Sequence, residues 1–213
     1  MRFMLAALPF LPLPTLRGER VILRGSRDSD VDDRLAHPID PKEEDNYGSL
    51  WRRGWDGRRY HTREDLTAQM RSPDTGLTGS YDWAVEYDGH CVGHAGLSVD
   101  SAQHSARYTV GLFVRALRGR GLGREVTRLV LAWAFDAQGV HRVELEVLAS
   151  NSRAIKCYLA CGFRHEGVRR EAELYPDGWK DFIVMGVLRS DRAGGSIDIP
   201  DAGAVSEPDV ASQ

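Results

Sequence analysis

Seven consecutive residues carry the strongest chemical signal in the chain: Arg118-Gly119-Arg120-Gly121-Leu122-Gly123-Arg124. Glycine lets a backbone turn tightly and approach a ligand closely, because no Cβ stands in the way. The turn runs directly into a segment of helical periodicity. The unpaired N–H groups and partial positive charge of a helix start suit a phosphate. Arginines add full charge and forked hydrogen-bond geometry. A pyrophosphate is the expected occupant, and a solvated basic turn is the plain alternative. A dinucleotide-binding unit would need the same strand, turn and helix, with Glu144 or Glu146 as the acid on the next strand. Arg124, however, stands where the third glycine of GxGxxG would fall, and the turn starts four residues late, after residues 115–118.

Other reactive residue types read more plainly. Cys157 and Cys161 lie four apart on one face of a predicted helix, and are expected to be small apolar packers rather than a redox or metal pair. His90-Cys91-x-x-His94 does not make a metal site, since on a strand Cys91 points away from both histidines. No metal is expected. His94, between Gly93 and Ala95 on an apolar strand, reads as a packed core histidine rather than a base.

The elements that must position these residues follow from periodicity and punctuation. Residues 20–24 (RVILR) have the alternation of a first strand, and residues 28–37 fit a short helix stopped by Pro38. Residues 41–60 have no clear period, and residues 64–71 fit a helical turn or two ending before Pro73. Residues 83–87, 90–99 and 107–114 read as strands, with a tight turn at Asp88-Gly89. Leu122, Val126, Leu129, Val130, Trp133 and Ala134 fall on the apolar face of one helix, which Gly139 can terminate. Residues 143–148 alternate as a strand. Residues 151–161 form a second helix, with Asn151 or Ser152 as N-cap and Gly162 past its end. Residues 163–174 and 181–188 flank the turn Tyr175-Pro176-Asp177-Gly178 and make a hairpin. The economical architecture is a mixed α/β sheet with one parallel βαβ crossover, flanked by helices.

In this order the residues resemble the GCN5-related N-acetyltransferase (GNAT) superfamily. Arg118-x-x-Gly121-x-Gly123 is similar to its acyl-CoA signature, and Asn151-x-x-Ala154-Ile155-x-x-Tyr158-x-x-x-Gly162-Phe163 to its second signature. Leu16-Arg17-Gly18-Glu19-Arg20-Val21-x-Leu23-Arg24 is similar to the opening of the ribosomal-protein alanine acetyltransferase branch. Glu166-Gly167-x-x-Arg170-Glu171-Ala172, Asp177-Gly178-Trp179-Lys180-Asp181 and Met185-Gly186-Val187-Leu188 are similar to its closing hairpin. The resemblance spans residues 15–189 and implies a mostly antiparallel sheet that binds acetyl-CoA as co-substrate. It implies that backbone N–H groups of Gly119, Arg120, Gly121, Leu122, Gly123 and Arg124, with Arg118, hold the pyrophosphate. Leu112, Phe113 and Val114 would pair with the pantetheine arm and lend an N–H to the acyl oxygen. Asn151 would contact the same arm, and Tyr158 would protonate the leaving thiolate. The implied activity is direct acetyl transfer to a primary amine, a peptide or protein N-terminus first. Other acyl-CoA donors, polyamine, aminoglycoside or lysine acceptors, and a non-catalytic acyl-CoA sensor are the alternatives. The absence of a GxSxG nucleophile motif weakly supports direct transfer.

One departure bears on mechanism. Relatives often present a glutamate on the strand before the glycine turn, where this sequence has Tyr108, and residues 107–114 hold no carboxylate. Glu86, His94, Asp100, Glu144, Glu146 and Glu173 remain as bases, directly or through water. Trp51, Arg52, Arg53, Trp55, Arg58, Arg59 and Tyr60 lie where an acceptor groove for an acidic partner would fall, or else form a solvated loop over the core.

Composition bounds the rest. With 213 residues, 42% hydrophobic and 28% charged, the chain is expected to be one packed domain over residues 16–190, with an extension at 1–15 and a disordered acidic tail at 191–213. A net charge of −3 argues against nucleic acid as a partner, and no apolar run reaches the length of a membrane span. Three cysteines fit a reducing cytoplasm. Residues 3–16 imitate a signal peptide, but Pro9, Pro12 and Pro14 interrupt them and no small-x-small cleavage site precedes Arg17. A homodimer stays open.

Overall fold

The computed structural model describes residues 6–37, 63, 64, 67, 79–175 and 177–192. Eight strands form one sheet in the order β1-β2-β3-β4-β5-β6-β8-β7. They are β1 (Leu16–Arg17), β2 (Val21–Arg24), β3 (Ser80–Tyr87), β4 (His90–Asp100), β5 (Ser105–Leu112), β6 (Arg142–Leu148), β7 (Arg164–Tyr175) and β8 (Gly178–Leu188). Every neighbour is antiparallel except β5 and β6. A parallel neighbour needs a crossover, and α2 (Leu122–Asp136) supplies it. The mixed sheet with one parallel pair is the predicted class, and its order excludes the doubly wound sheet of a dinucleotide-binding unit.

The helices end where the sequence punctuates them. In α2 the apolar stripe buries Leu122, Val126, Val130, Trp133 and Ala134 against the sheet. Gly139 takes a left-handed φ of 84° beyond its end. The Asn151 side chain caps α3 (Ser152–Leu159) by accepting the Ala154 N–H at 3.1 Å. The short α1 (Asp30–Ala36) is pinned from its first turn, because Asp30 accepts both forks of the buried Arg24 at 2.7 and 2.8 Å. At the β3–β4 turn Asp88 and Gly89 both have positive φ, which is what a two-residue hairpin of matching twist requires.

The apolar N-terminal stretch packs on the domain from residue 6 onward. Leu8, Phe10, Leu11 and Leu13 lie against the main core. The buried Gln138 donates to the Pro9 carbonyl at 2.7 Å, and the Trp83 indole donates to that of Pro14 at 2.8 Å. Among the described residues no helix is long and apolar enough to cross a membrane. The acceptor-groove segment 51–60, most of the helical turn at 64–71 and the tail from 193 lie outside the described residues.

Candidate active site

The parallel strands β5 and β6 pair only at Ser105–Arg142, Ala106–Val143 and Arg107–Glu144. Beyond Arg107, β5 stays with β4 as far as Leu112, while β6 stays with β8 to Leu148. The sheet therefore opens into a wedge bordered on one side by residues 108–112. A cavity of about 440 Å³ sits in this opening. Val110, Gly111 and Leu112 of β5, the turn residues Arg118, Gly119 and Gly121, Gly123 and Arg124 of α2, and Asn151, Cys157 and Tyr158 of α3 share its wall. Arg153 and Lys156 also line it, so among the described residues four cations and no carboxylate face the space. That charge distribution suits a polyanionic ligand.

Local geometry explains how each wall is held. Gly119 and Gly121 have φ of 75° and 86°, a left-handed conformation that side chains disfavour, and Gly121 is the N-cap of α2. Arg118 is more than a charge, because its Nε donates to the Leu112 carbonyl at 2.9 Å and ties the turn to the strand. Phe113 donates its N–H to Val92 at 3.0 Å, so its backbone serves the sheet. Antiparallel alternation then turns the backbone of Val110 and Leu112 toward the gap. Phe113, Val114, Arg120 and Leu122 do not line the cavity. Leu122 is core, 2% exposed, and the Arg120 carbonyl accepts from Arg20 Nη1 at 2.9 Å.

Tyr158 is 8% exposed and lies edge-on to Phe163, yet it reaches the cavity wall. Its hydroxyl makes no hydrogen bond to a protein group among the described residues. Burial, with the Cys157 and Cys161 thiols nearby, pushes its pKa well above the ordinary tyrosine range, so it stays protonated at neutral pH. Cys157 stands 3.8 Å from where a Cβ on Gly123 would be. Its pKa is lowered by a hydrogen bond from Cys161 and by Arg124 and Arg128.

None of the proposed bases lines the cavity. Tyr108 is buried and bonded to Thr127 at 3.0 Å, so the glutamate's place is occupied by a core residue. Glu86 pairs with Arg24 at 2.5 Å and Arg27 at 3.3 Å, Glu144 with Arg107 and Arg142, and Glu146 with Arg169. Asp100 caps the β4–β5 turn by accepting two N–H groups at 3.0 Å. Glu173 sits opposite Lys180 in the terminal hairpin. His94 lies against β5: a Cβ on Gly111 would fall 2.4 Å from its Cε1. Burial and the nearby Arg34 push its pKa down to about 3, so the ring is neutral.

A residue the sequence reading passed over braces the site. Glu125, in the first turn of α2, accepts the N–H groups of Arg20 and Val21 at 2.7 and 3.2 Å and Arg20 Nε at 2.9 Å. Arg20 thereby clasps the glycine turn to the β1–β2 corner. The contact spans more than a hundred residues, and no local pattern announces it.

The fold is shared with known proteins. The model of the Acetyltransferase (GNAT) family matches residues 44–163, and the chain belongs to that family. It is 31% identical over 83 residues to the probable N-acetyltransferase YjcK of Bacillus subtilis, covering 38% of this chain and 46% of that protein. It is 38% identical over 104 residues to the mycothiol acetyltransferase of Beutenbergia cavernae, covering 48% of this chain and 34% of that one. These matches therefore span less than half the length of either relative. Among solved structures, Mycobacterium smegmatis RimJ in complex with CoA-disulfide superposes with a TM-score of 0.69 at 21% identity, over 86% of this chain and 88% of that one. At that identity the likeness concerns the fold.

Proposed function

We propose that this chain is an N-acetyltransferase that moves the acetyl group of acetyl-CoA directly onto a primary amine, with a peptide or protein N-terminus as the favoured acceptor. The observation that carries this reading is the wedge between β5 and β6. It opens onto a cavity walled by the glycine turn, Asn151 and Tyr158, with four cations and no carboxylate among the described residues that line it. The N–H groups from Gly119 to Arg124, backed by Arg118 and Arg124, hold the pyrophosphate. The edge of β5 at Val110 and Leu112 pairs with the pantetheine arm, as an added strand would, and Asn151 borders the same arm.

The thioester supplies the acyl group, and the chain supplies placement and protons. An N–H at the end of β5, from Leu112 or Val114, faces the developing oxyanion, a contribution of about 3 kcal/mol. Tyr158 gives its proton to the departing thiolate. Its raised pKa keeps that proton in place until strong negative charge develops beside it.

The acceptor preference follows from the missing base. A lysine-type ammonium with pKa of about 10.4 costs about 4–5 kcal/mol to deprotonate at neutral pH, and an α-amino group of about 7.7–8.0 costs only about 1 kcal/mol. A cavity without a carboxylate favours the easier amine. The rival reading, an acyl-CoA sensor, draws on the same lack.

Thiol release across an amine panel with acetyl-, propionyl- and succinyl-CoA separates the two. Turnover with acetyl-CoA and α-amines at pH 7 is expected. Tight binding with no thiol release for any amine would make the chain a sensor, and exclusive acylation of lysine or polyamine amines would overturn the acceptor assignment.

A further inference from the structure

On the side of β5 away from α2, α1 places a guanidinium that has no anionic partner among the described residues. Arg34 is 6% exposed, and its Cζ lies 5.2 Å above the centre of the Phe113 ring. Nη1 donates to the His37 carbonyl at 2.7 Å. Nε is buried and has no hydrogen-bond partner. Among the described residues no carboxylate lies within ion-pair distance. The acids on its own helix are committed elsewhere: Asp30 to Arg24, Asp32 to Arg63, and Asp33 to His90 and the Cys91 N–H.

Buried cations are ordinarily paired, since burial without a partner forfeits hydration that nothing replaces. Contact with an aromatic face recovers only part of that loss. The neighbours add no negative charge. Burial raises the Cys91 thiol to about 12, and His94 is neutral on Gly111. What stays open is the Nε edge of a planar fork, whose two parallel donors match a carboxylate.

The position of this edge gives it a use. Phe113 follows Leu112 at the end of β5, where the acyl carbon is placed under the reading above. With α2 and α3 covering one side of the wedge, the amine is left to approach from the side that carries Arg34, His94 and Gly111. We propose that Arg34 is the specificity-determining receptor for a carboxylate on the acceptor, so that the preferred amine belongs to a molecule carrying a carboxylate close to it. This rests on the acetyltransferase reading, and on an acceptor entering opposite the coenzyme.

The test uses the full chain loaded with CoA and calorimetric titration of dialanine and dialanine amide, which differ only in the carboxylate. Dialanine is expected to bind at least tenfold tighter to the wild type. Arg34→Met should abolish the difference, and Arg34→Lys, which keeps the charge without the fork, should leave a reduced one. Equal affinities in the wild type overturn the proposal even if Arg34→Met fails to fold. A protein that does not bind CoA at all sinks the acetyltransferase reading instead. A second arm compares succinyl-CoA with propionyl-CoA. A succinyl preference that disappears in Arg34→Met, with no dialanine preference, would assign the carboxylate to the donor and overturn the acceptor assignment.

Discussion

On the α2 side of β5 the cavity wall is open and cationic, and its parts come from three short stretches of chain, residues 110–112, 118–124 and 151–158. On the α1 side a buried arginine of α1 meets a neutral histidine of β4 and the phenylalanine ring that follows β5, some sixty to eighty residues further along the chain. The first wall is a backbone device, built from glycine conformations, a helix N-terminus and strand-edge groups. The second is a side-chain device assembled only by tertiary packing. A backbone device tolerates change in the surrounding side chains but not a Cβ in the wrong place. A side-chain device has the opposite sensitivity.

Substitution in the turn gives the largest expected effect. Gly121→Val puts a branched side chain at φ 86° in the cavity wall and is expected to remove measurable acetyl-CoA binding by calorimetry. The backbone strain alone costs about 1–2 kcal/mol of stability. Gly178→Val, at φ 119° in the distant β7–β8 turn, carries strain of the same kind and should bind acetyl-CoA normally. Equal binding by both variants would remove the glycine turn from the site. Next, Tyr158→Phe keeps the ring that packs on Phe163 and removes only the hydroxyl. Turnover should fall about 100-fold with acetyl-CoA affinity nearly unchanged. Intact turnover would mean that the thiolate leaves without this acid.

The two sides also differ in how far the sequence announces them. Glycine spacing, the Asn151 cap and the stripe from Leu122 to Ala134 are local patterns, and they mark the crossover helix, its glycine turn and the capped helix to within a few residues. The strands at 90–99 and 107–114, with the closing hairpin, are legible for the same reason. The two-residue strand β1 is too short to show a period. The packing of Leu8 to Leu13 on the core depends on partners such as Gln138 and Tyr81, more than sixty residues away. Arg34 and Glu125 look like ordinary surface charges of amphipathic helices, and only packing reveals one as lacking an anion among the described residues and the other as a brace. The place of Cys157 in the cavity wall, near Arg124, depends on how α3 meets α2 and has no local pattern.

Glu125 allows a sharper comparison because it is a side chain serving the backbone device. Its carboxylate satisfies two N–H groups of the β1–β2 corner and positions Arg20, which in turn holds the Arg120 carbonyl. Glu125→Ala should raise the KM for acetyl-CoA about tenfold through a looser turn, with kcat little changed. Stability should fall by about 1–3 kcal/mol for the orphaned donors. Glu125→Gln keeps an acceptor for the N–H groups and should recover most of the affinity. A loss in kcat with unchanged KM would place Glu125 in the chemistry rather than behind the turn.

The smallest effect concerns the α1 side and is read in stability rather than rate. His94 rests on Gly111 with Arg34 nearby, and its pKa falls from 6.5 to about 3 because burial and that cation oppose a second positive charge. In the unfolded chain the ring takes up a proton below about pH 6.5, while the folded protein refuses it until near pH 3. The unfolded state therefore binds more protons across that window, and stability falls as pH falls. The contribution is complete above the unfolded pKa and shrinks by up to about 1.4 kcal/mol per pH unit below it. Urea unfolding at pH 7.5, 6 and 5 should show this acid slope in the wild type. His94→Gln, which cannot titrate, should show a flatter one over the same range. Removing Arg34 alone, with His94 kept, should raise the pKa of His94 in the folded state and flatten the slope partway. Equal slopes in the wild type and His94→Gln would mean that the ring exchanges its proton freely with water. The Arg34 side of β5 would then be wetter than its packing implies, and an unpaired guanidinium there would need no anion.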